Sequence, residues 1–163
     1  MTFAPRTWVV GEVVTAALLN QEIRDQFNSF FGAWTSYTPT WAGATTNPVL
    51  GNGTLTGRYM KVGRTVTVEI KLTTGSTTTY GSGIWRWSLP AAAASAHDAV
   101  GSAFIGDASA GYSTGVAYIS ASNTDVTVYV GTPAAGAAVS GTHPQTFAAS
   151  DRVWITVQYE AAS

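Results

Sequence analysis

Apolar residues recur along this chain with two different periods. Between Thr15 and Phe31, the residues Leu19, Ile23, Phe27 and Phe30 fall at i, i+4, i+8 and i+11, the spacing of one helical face. Asn20, Gln21, Arg24, Asp25 and Asn28 cover the rest of that helix. Thr15 is its expected N-cap, ahead of Ala16-Ala17-Leu18-Leu19, and Gly32 is placed to end it in the left-handed conformation. Residues 1–14 read as an extended lead-in interrupted by Pro5 and Gly11.

From Trp34 onward the period drops to two, in short runs separated by Gly, Asn, Ser and Pro. The clearest alternation is a hairpin of Thr54 to Val62 and Thr65 to Thr74 around Gly63-Arg64, with Val66, Val68, Ile70 and Leu72 on one face and Thr65, Thr67, Glu69 and Lys71 on the other. Further strands are expected at Ile84 to Leu89, Val100 to Asp107, Tyr112 to Ala121, Val126 to Val130 and Arg152 to Glu160, with a weaker one around Tyr37 to Trp41. The turn Ser122-Asn123-Thr124-Asp125 joins two of them. The Ala-rich stretch Ala91 to Ala96 is read as a crossing, and the small-residue segment Gly131 to Ala149 has no assignment. These roughly eight strands predict a mainly β chain: an antiparallel, jelly-roll-like sandwich over residues 34–163, preceded over 1–33 by a lead-in and one short amphipathic helix.

The helix cannot be self-sufficient. Burying its four apolar side chains contributes about 1.5–3 kcal/mol each. Ordering roughly sixteen backbone units costs about 1–2 kcal/mol apiece before hydrogen bonds are counted. Leu19, Ile23, Phe27 and Phe30 must therefore pack on the β-domain or on copies of themselves. Ala16, Leu19, Ile23, Gln26 and Phe30 also fit an a/d seam.

Composition then removes several classes of function. Only 10% of residues are charged, 8 basic against 9 acidic, so no field exists to hold nucleic acid or an anionic membrane. Thr, Ser, Gly and Asn supply the polar surface, as in Thr73 to Tyr80. There is no cysteine, hence neither a disulfide nor a thiolate metal site. The N-terminus lacks the pattern of a signal peptide, and no apolar run is long enough for a membrane helix.

Catalytic chemistry is thinly supplied. His97 and His143 stand in loop-like sequence, away from metal-ligand spacing, and no Gly-x-Ser-x-Gly elbow accompanies the Ser, His and Asp residues. A glycosidase would need two carboxylates across a cleft. Glu69, Asp98, Asp107, Asp125, Asp151 and Glu160 instead fall on an outward strand position, in turns or at strand ends, where capping and solvation are the ordinary roles. Gly51-Asn52-Gly53 and Gly101 to Gly106 lack the lysine and helix of a phosphate loop. The sequence therefore predicts no enzyme, no cofactor and no metal.

The aromatic residues, 12% of the chain, are more informative because their direction separates core from surface. Trp85, Trp87 and Leu89 share one strand face, as do Val153, Ile155, Val157 and Tyr159, and both sets read as core. Trp154 takes the opposite face beside Thr156 and Gln158, which makes it a subunit-interface or ligand-binding residue. Tyr80 and Tyr112 lie near Gly/Ser loops, where they either contact ligand or pack over loop ends.

Two stretches carry a resemblance. Trp8-Val9-Val10-Gly11-Glu12-Val13-Val14-Thr15-Ala16-Ala17-Leu18-Leu19-Asn20, continuing Ile23-Arg24-Asp25, resembles a lead-in of tail-associated proteins of actinobacterial phages and prophages. Tyr37-Thr38-Pro39-Thr40-Trp41, with Asn47-Pro48-Val49-Leu50-Gly51-Asn52-Gly53-Thr54-Leu55-Thr56-Gly57-Arg58-Tyr59, looks like the start of a phage tail-fibre β-domain. Together they cover about a third of the chain. The closing Ala149 to Val157 is similar to the last strand of trimeric C1q-like and tumour-necrosis-factor-like jelly rolls, with Ser150 where those often have Gly. The resemblance implies a homotrimer in a virion tail, joined to other tail or particle proteins through the N-terminal segment and meeting a host-surface glycan or protein. A monomeric carbohydrate-binding module and a purely structural particle protein are the alternatives.

Overall fold

A computed structural model describes residues 7–131 and 138–162, without the side chains of Gln26, Ser29 and Phe31. Pro5 and residues 132–137 lie outside the described residues, as does the side chain at the Gln26 seam position. The strands among the described residues are Thr35–Tyr37 (β1), Trp41–Gly43 (β2), Thr54–Val62 (β3), Thr65–Thr73 (β4), Trp85–Ser88 (β5), Ala99–Asp107 (β6), Gly111–Ile119 (β7), Asp125–Val130 (β8) and Arg152–Glu160 (β9). They form one antiparallel sheet in the order β1-β3-β4-β9-β6-β7-β8-β5-β2. The expected hairpin is β3 and β4, turning at Gly63 with φ +58°. The weak strand expected around Tyr37 to Trp41 is instead two strands, β1 and β2, broken where Pro39 cannot donate to a ladder.

That break determines the shape. β1 and β2 sit at opposite ends of the strand order, yet only Thr38, Pro39 and Thr40 separate them. Such a link spans at most about 14 Å, whereas nine strands laid flat measure about 38 Å from first to last. The sheet must curl until its edges meet. Ser88 at the end of β5 fastens them: its carbonyl accepts from the Tyr37 hydroxyl (3.2 Å) and its Oγ from the Thr40 amide (2.8 Å). Its own amide donates to the Thr40 carbonyl at 3.0 Å.

Curling encloses one face as core. Val66, Val68, Ile70 and Leu72 from β4 and Val153, Ile155, Val157 and Tyr159 from β9 are buried together with Trp85 and Trp87 from β5. Trp85 packs edge-on to Trp41, ring centroids 4.7 Å apart, and against Phe147 at 4.7 Å. Part of the unassigned small-residue segment enters this core. Val139 inserts between β8 and β5, its amide donating to Val128 (2.8 Å) and its carbonyl accepting from Trp85 (2.9 Å). The stretch Ala91 to Ala96 forms no helix; it crosses one end of the curled sheet, Ala93 donating to the Asn123 carbonyl and Ala94 to that of Glu160. The Tyr159 hydroxyl holds this crossing by donating to the Ala91 carbonyl at 2.7 Å.

Asp151 organises the opposite loops from a buried position. Its carboxylate accepts from the amides of Ala108 and Ala148 (both 2.8 Å) and from Gln145 Nε2 (3.0 Å). The preceding Ser150 has φ +72°, in the left-handed region that favours glycine.

The helix begins as expected, with Thr15 Oγ1 accepting from the Leu18 amide at 3.3 Å. It is α-helical over Ala16–Leu19 and Asp25–Phe31, with a wider π turn over Asn20–Arg24 between them. That turn offsets the drift which four-residue spacings accumulate in a helix of 3.6 residues per turn, so Leu19, Ile23 and Phe27 stay on one stripe. Gly32 departs from expectation. It is extended (φ −64°, ψ 159°) because the chain runs straight from the helix towards β1, and a Cβ there would lie 2.9 Å from the Asn28 carbonyl oxygen.

Two outcomes are expected. Asp151→Ala removes the buried acceptor of three part-buried bonds and lowers unfolding free energy by about 1–3 kcal/mol, read from the urea midpoint. Burial pushes the Tyr159 phenol up from 10.0 to about 12, and raises that of Tyr37 as well. Both phenols keep their protons longer in the folded chain than when unfolded, so their stabilisation is complete below pH 10 and is lost as pH climbs towards 12. Thermal melts across that range should fall, and fall less steeply in Tyr159→Phe.

Candidate functional site

Residues that alternate with the core on β4, β9, β6 and β7 make the outer face of the sheet. Cross-strand register places Lys71 opposite Trp154, and Trp154 opposite Phe104. On the same face Tyr112 lies opposite Gly106, next to Phe104's own position. The three rings form a continuous strip: Phe104 is 5.4 Å from Trp154 and 5.4 Å from Tyr112, near-parallel to the latter at 23°. Trp154 is 38% exposed and Tyr112 71%, with Phe104 half-buried between them. Thus the structure brings together two residues that the sequence nominated separately.

Two cations border the strip. Lys71 Nζ lies 5.2 Å from the centre of the Trp154 ring and Arg152 Cζ lies 6.0 Å from it. Neither is in an ion pair of the kind that joins Arg24 to Asp25, Arg58 to Glu69 and Arg64 to Glu160. Beside Arg152 the surface dips into a hollow of about 150 Å³ lined by Phe104, Gly106, Asp107, Ala108, Gly111 and Ser150. Gly106 keeps it open, since a Cβ there would meet the Phe104 ring at 2.9 Å. Asp107, the acid at its rim, is occupied by its own turn: Oδ1 accepts from the Ser109 amide and hydroxyl and the Ala110 amide. The Ser109 hydroxyl and amide bonds hold its pKa below the ordinary carboxylate value.

Phe104, Lys71 and Arg152 were not singled out by sequence reasoning. Phe104 was within reach of the alternation rule, because Ala103 and Ile105 point inward on either side of it. The two cations needed the β4–β9 register.

The other candidates lie apart from the strip. Tyr80 is half-buried, stacked on Trp85 at 6.2 Å and tilted against Phe147 at 6.3 Å. Asp98 accepts from the Tyr118 hydroxyl (2.6 Å) and the Ala121 amide (2.8 Å), and the tyrosine bond foremost lowers its pKa while raising that of Tyr118. Glu69 pairs with Arg58 at 2.7 Å and Glu160 with Arg64 at 3.0 Å. His97 is exposed, while His143 precedes a cis proline and is half-buried. Among the described residues no group of three or more His, Asp or Glu side chains could hold a metal, and no helix is long and apolar enough to cross a membrane.

Leu19, Ile23, Phe27 and Phe30 are exposed by 43%, 49%, 59% and 51%, and no side chain described in the helix is buried. Among the described side chains, Asp25 and Asn28 of the helix, with Gly32, face Tyr59, Met60 and Lys61 across an open cleft of about 310 Å³. Trp8, Val9, Val10, Val13 and Val14 before it are exposed as well.

No family model, curated protein or solved structure matches this chain. The strip and the helix stripe therefore rest on their own geometry.

Position on the sheet separates the tryptophans energetically. Trp154→Ala on the outer face should change unfolding free energy by less than about 1 kcal/mol, whereas Trp85→Ala in the core should cost about 3–5 kcal/mol. Chemical denaturation of both variants checks the contrast.

Proposed function

We propose that this chain is a non-catalytic attachment module of a phage-like tail, assembling as a homotrimer through its N-terminal helix and presenting its β-domain to a host surface. What carries this reading is the apolar stripe of Leu19, Ile23, Phe27 and Phe30, each about half exposed. On these magnitudes the stripe cannot order the helix alone, and its own β-domain leaves it uncovered. Other copies of the helix are the self-complementary cover, because they offer the same stripe in the same register. The β-domain on this reading is a jelly-roll-like sandwich made by the curled sheet, β4 and β9 facing β5 and β8 across the core. The lead-in Trp8 to Val14 resembles tail proteins and is the segment proposed to join the rest of the particle.

The engagement of the carboxylates supports the absence of catalysis. Glu69 and Glu160 face arginines, and Asp98, Asp107 and Asp125 serve their own turns or neighbouring strands. A second reading, a monomeric carbohydrate-binding module, is favoured by the aromatic strip alone.

Light scattering separates the two: a threefold mass at micromolar concentration is expected, and a monomer throughout that range would overturn the trimer. Ile23→Asp should reduce the mass towards the monomer while leaving the β-rich circular dichroism in place. Unchanged mass in that variant would mean that the helix is not the assembly element.

A further inference from the structure

We infer that the outer-face strip of Trp154, Phe104 and Tyr112 binds an acidic saccharide, its sugar rings lying along the aromatic side chains and its carboxylate or phosphate groups reaching Lys71 and Arg152. This rests on the attachment reading and names the class of ligand for it.

The strip has the form that a chain of sugar rings needs. Its ring centres step by 5.4 Å from β9 to β6 and again from β6 to β7, close to the spacing of neighbouring strands. Exposed aromatic side chains of this kind pack against the C–H groups of pyranose rings while leaving the hydroxyls in water. Because the rings stand on three hydrogen-bonded strands, little order is left to be lost on binding.

The cations decide between ligands. Lys71 and Arg152 both lie over Trp154 without an acidic partner among the described residues. A guanidinium makes paired hydrogen bonds to carboxylate or phosphate, and an ammonium adds a point charge. Asp107, the acid nearest the hollow, already accepts three bonds from its own turn. The hollow beside Gly106 leaves space for a substituent projecting from the sugar.

A second copy of the chain is the competing occupant. On the β-domain Glu69 and Glu160 are paired with arginines and Asp151 is buried, which leaves Asp98, Asp107 and Asp125 as the carboxylates a copy could bring to Lys71 and Arg152. A copy seated on the strip is therefore one outcome of the test.

The test is a binding panel on the intact chain, with mass followed by light scattering in the same samples. The probes are oligogalacturonate, sialyllactose and a phosphorylated oligomannose. Each is set beside its neutral counterpart: the methyl ester, lactose and the dephosphorylated sugar. At least one acidic probe should bind about tenfold more tightly than its counterpart, and weaken several-fold as salt rises from about 50 to about 300 mM. Trp154→Ala should cost about tenfold, the scale of one aromatic anchor. Lys71→Met with Arg152→Gln should abolish the preference for the acidic form. Binding by none of the probes, or equal binding to acidic and neutral partners, overturns the inference. So does a Trp154→Ala variant that loses mass and keeps its binding. A monomeric chain that still selects acidic sugars would instead overturn the trimer and leave this inference standing.

Discussion

Everything else in this molecule depends on the three residues that join the two edges of its sheet. With β1 and β2 bound to opposite ends of the strand order, Thr38–Thr40 cannot be accommodated unless the sheet bends back on itself. Bending creates an inside, and the inside is where Trp41, Trp85, Trp87 and the aliphatic rows of β4 and β9 collect. Ser88 closes the circuit with backbone and side-chain bonds, so no long edge is left free beside it. Long-range pairing of this kind is costly to assemble, since its loops close before its contacts accumulate. The dense tryptophan cluster is what offsets that cost.

Once the inside is fixed, alternation decides the outside. The same register that buries Val153, Ile155 and Val157 sends Arg152, Trp154 and Thr156 outward. Because β9 lies between β4 and β6, Trp154 is flanked by Lys71 on one side and Phe104 on the other. The candidate site is thus a consequence of strand order: its residues are distant in sequence, held on rigid strands and independent of loop conformation.

Much of this was readable from the residues. Period-two alternation located the long strands, most of their ends and the inward row of β4, because a sheet with one buried face writes its burial directly into the sequence. It could not show that Tyr37 to Trp41 splits into two strands at opposite sheet ends, since strand order is a long-range property. Nor could it place Val139 and Phe147, whose neighbours are too small and irregular to carry a period. At Gly32 the sequence rule chose the commonest helix ending, but the extended route towards β1 prevailed. Of the strip, Trp154 and Tyr112 stood out as aromatics of outward or loop-adjacent position. Lys71 and Arg152 became meaningful only when register set them over one ring.

The helix joins this account through what the β-domain leaves undone. Its cap is made, its stripe is aligned through the π turn, and the stripe faces solvent. A short helix in that condition is marginal on its own, and the trimer proposed above would supply its order. The central claim is that copies of the chain provide it. Amide hydrogen exchange over Ala16–Phe31, followed from dilute to concentrated solution, tests this most directly. The account predicts that protection of the helix amides rises with concentration while protection of β4 and β9 stays constant. Helix protection that is strong and independent of concentration down to the dilute monomer would contradict it.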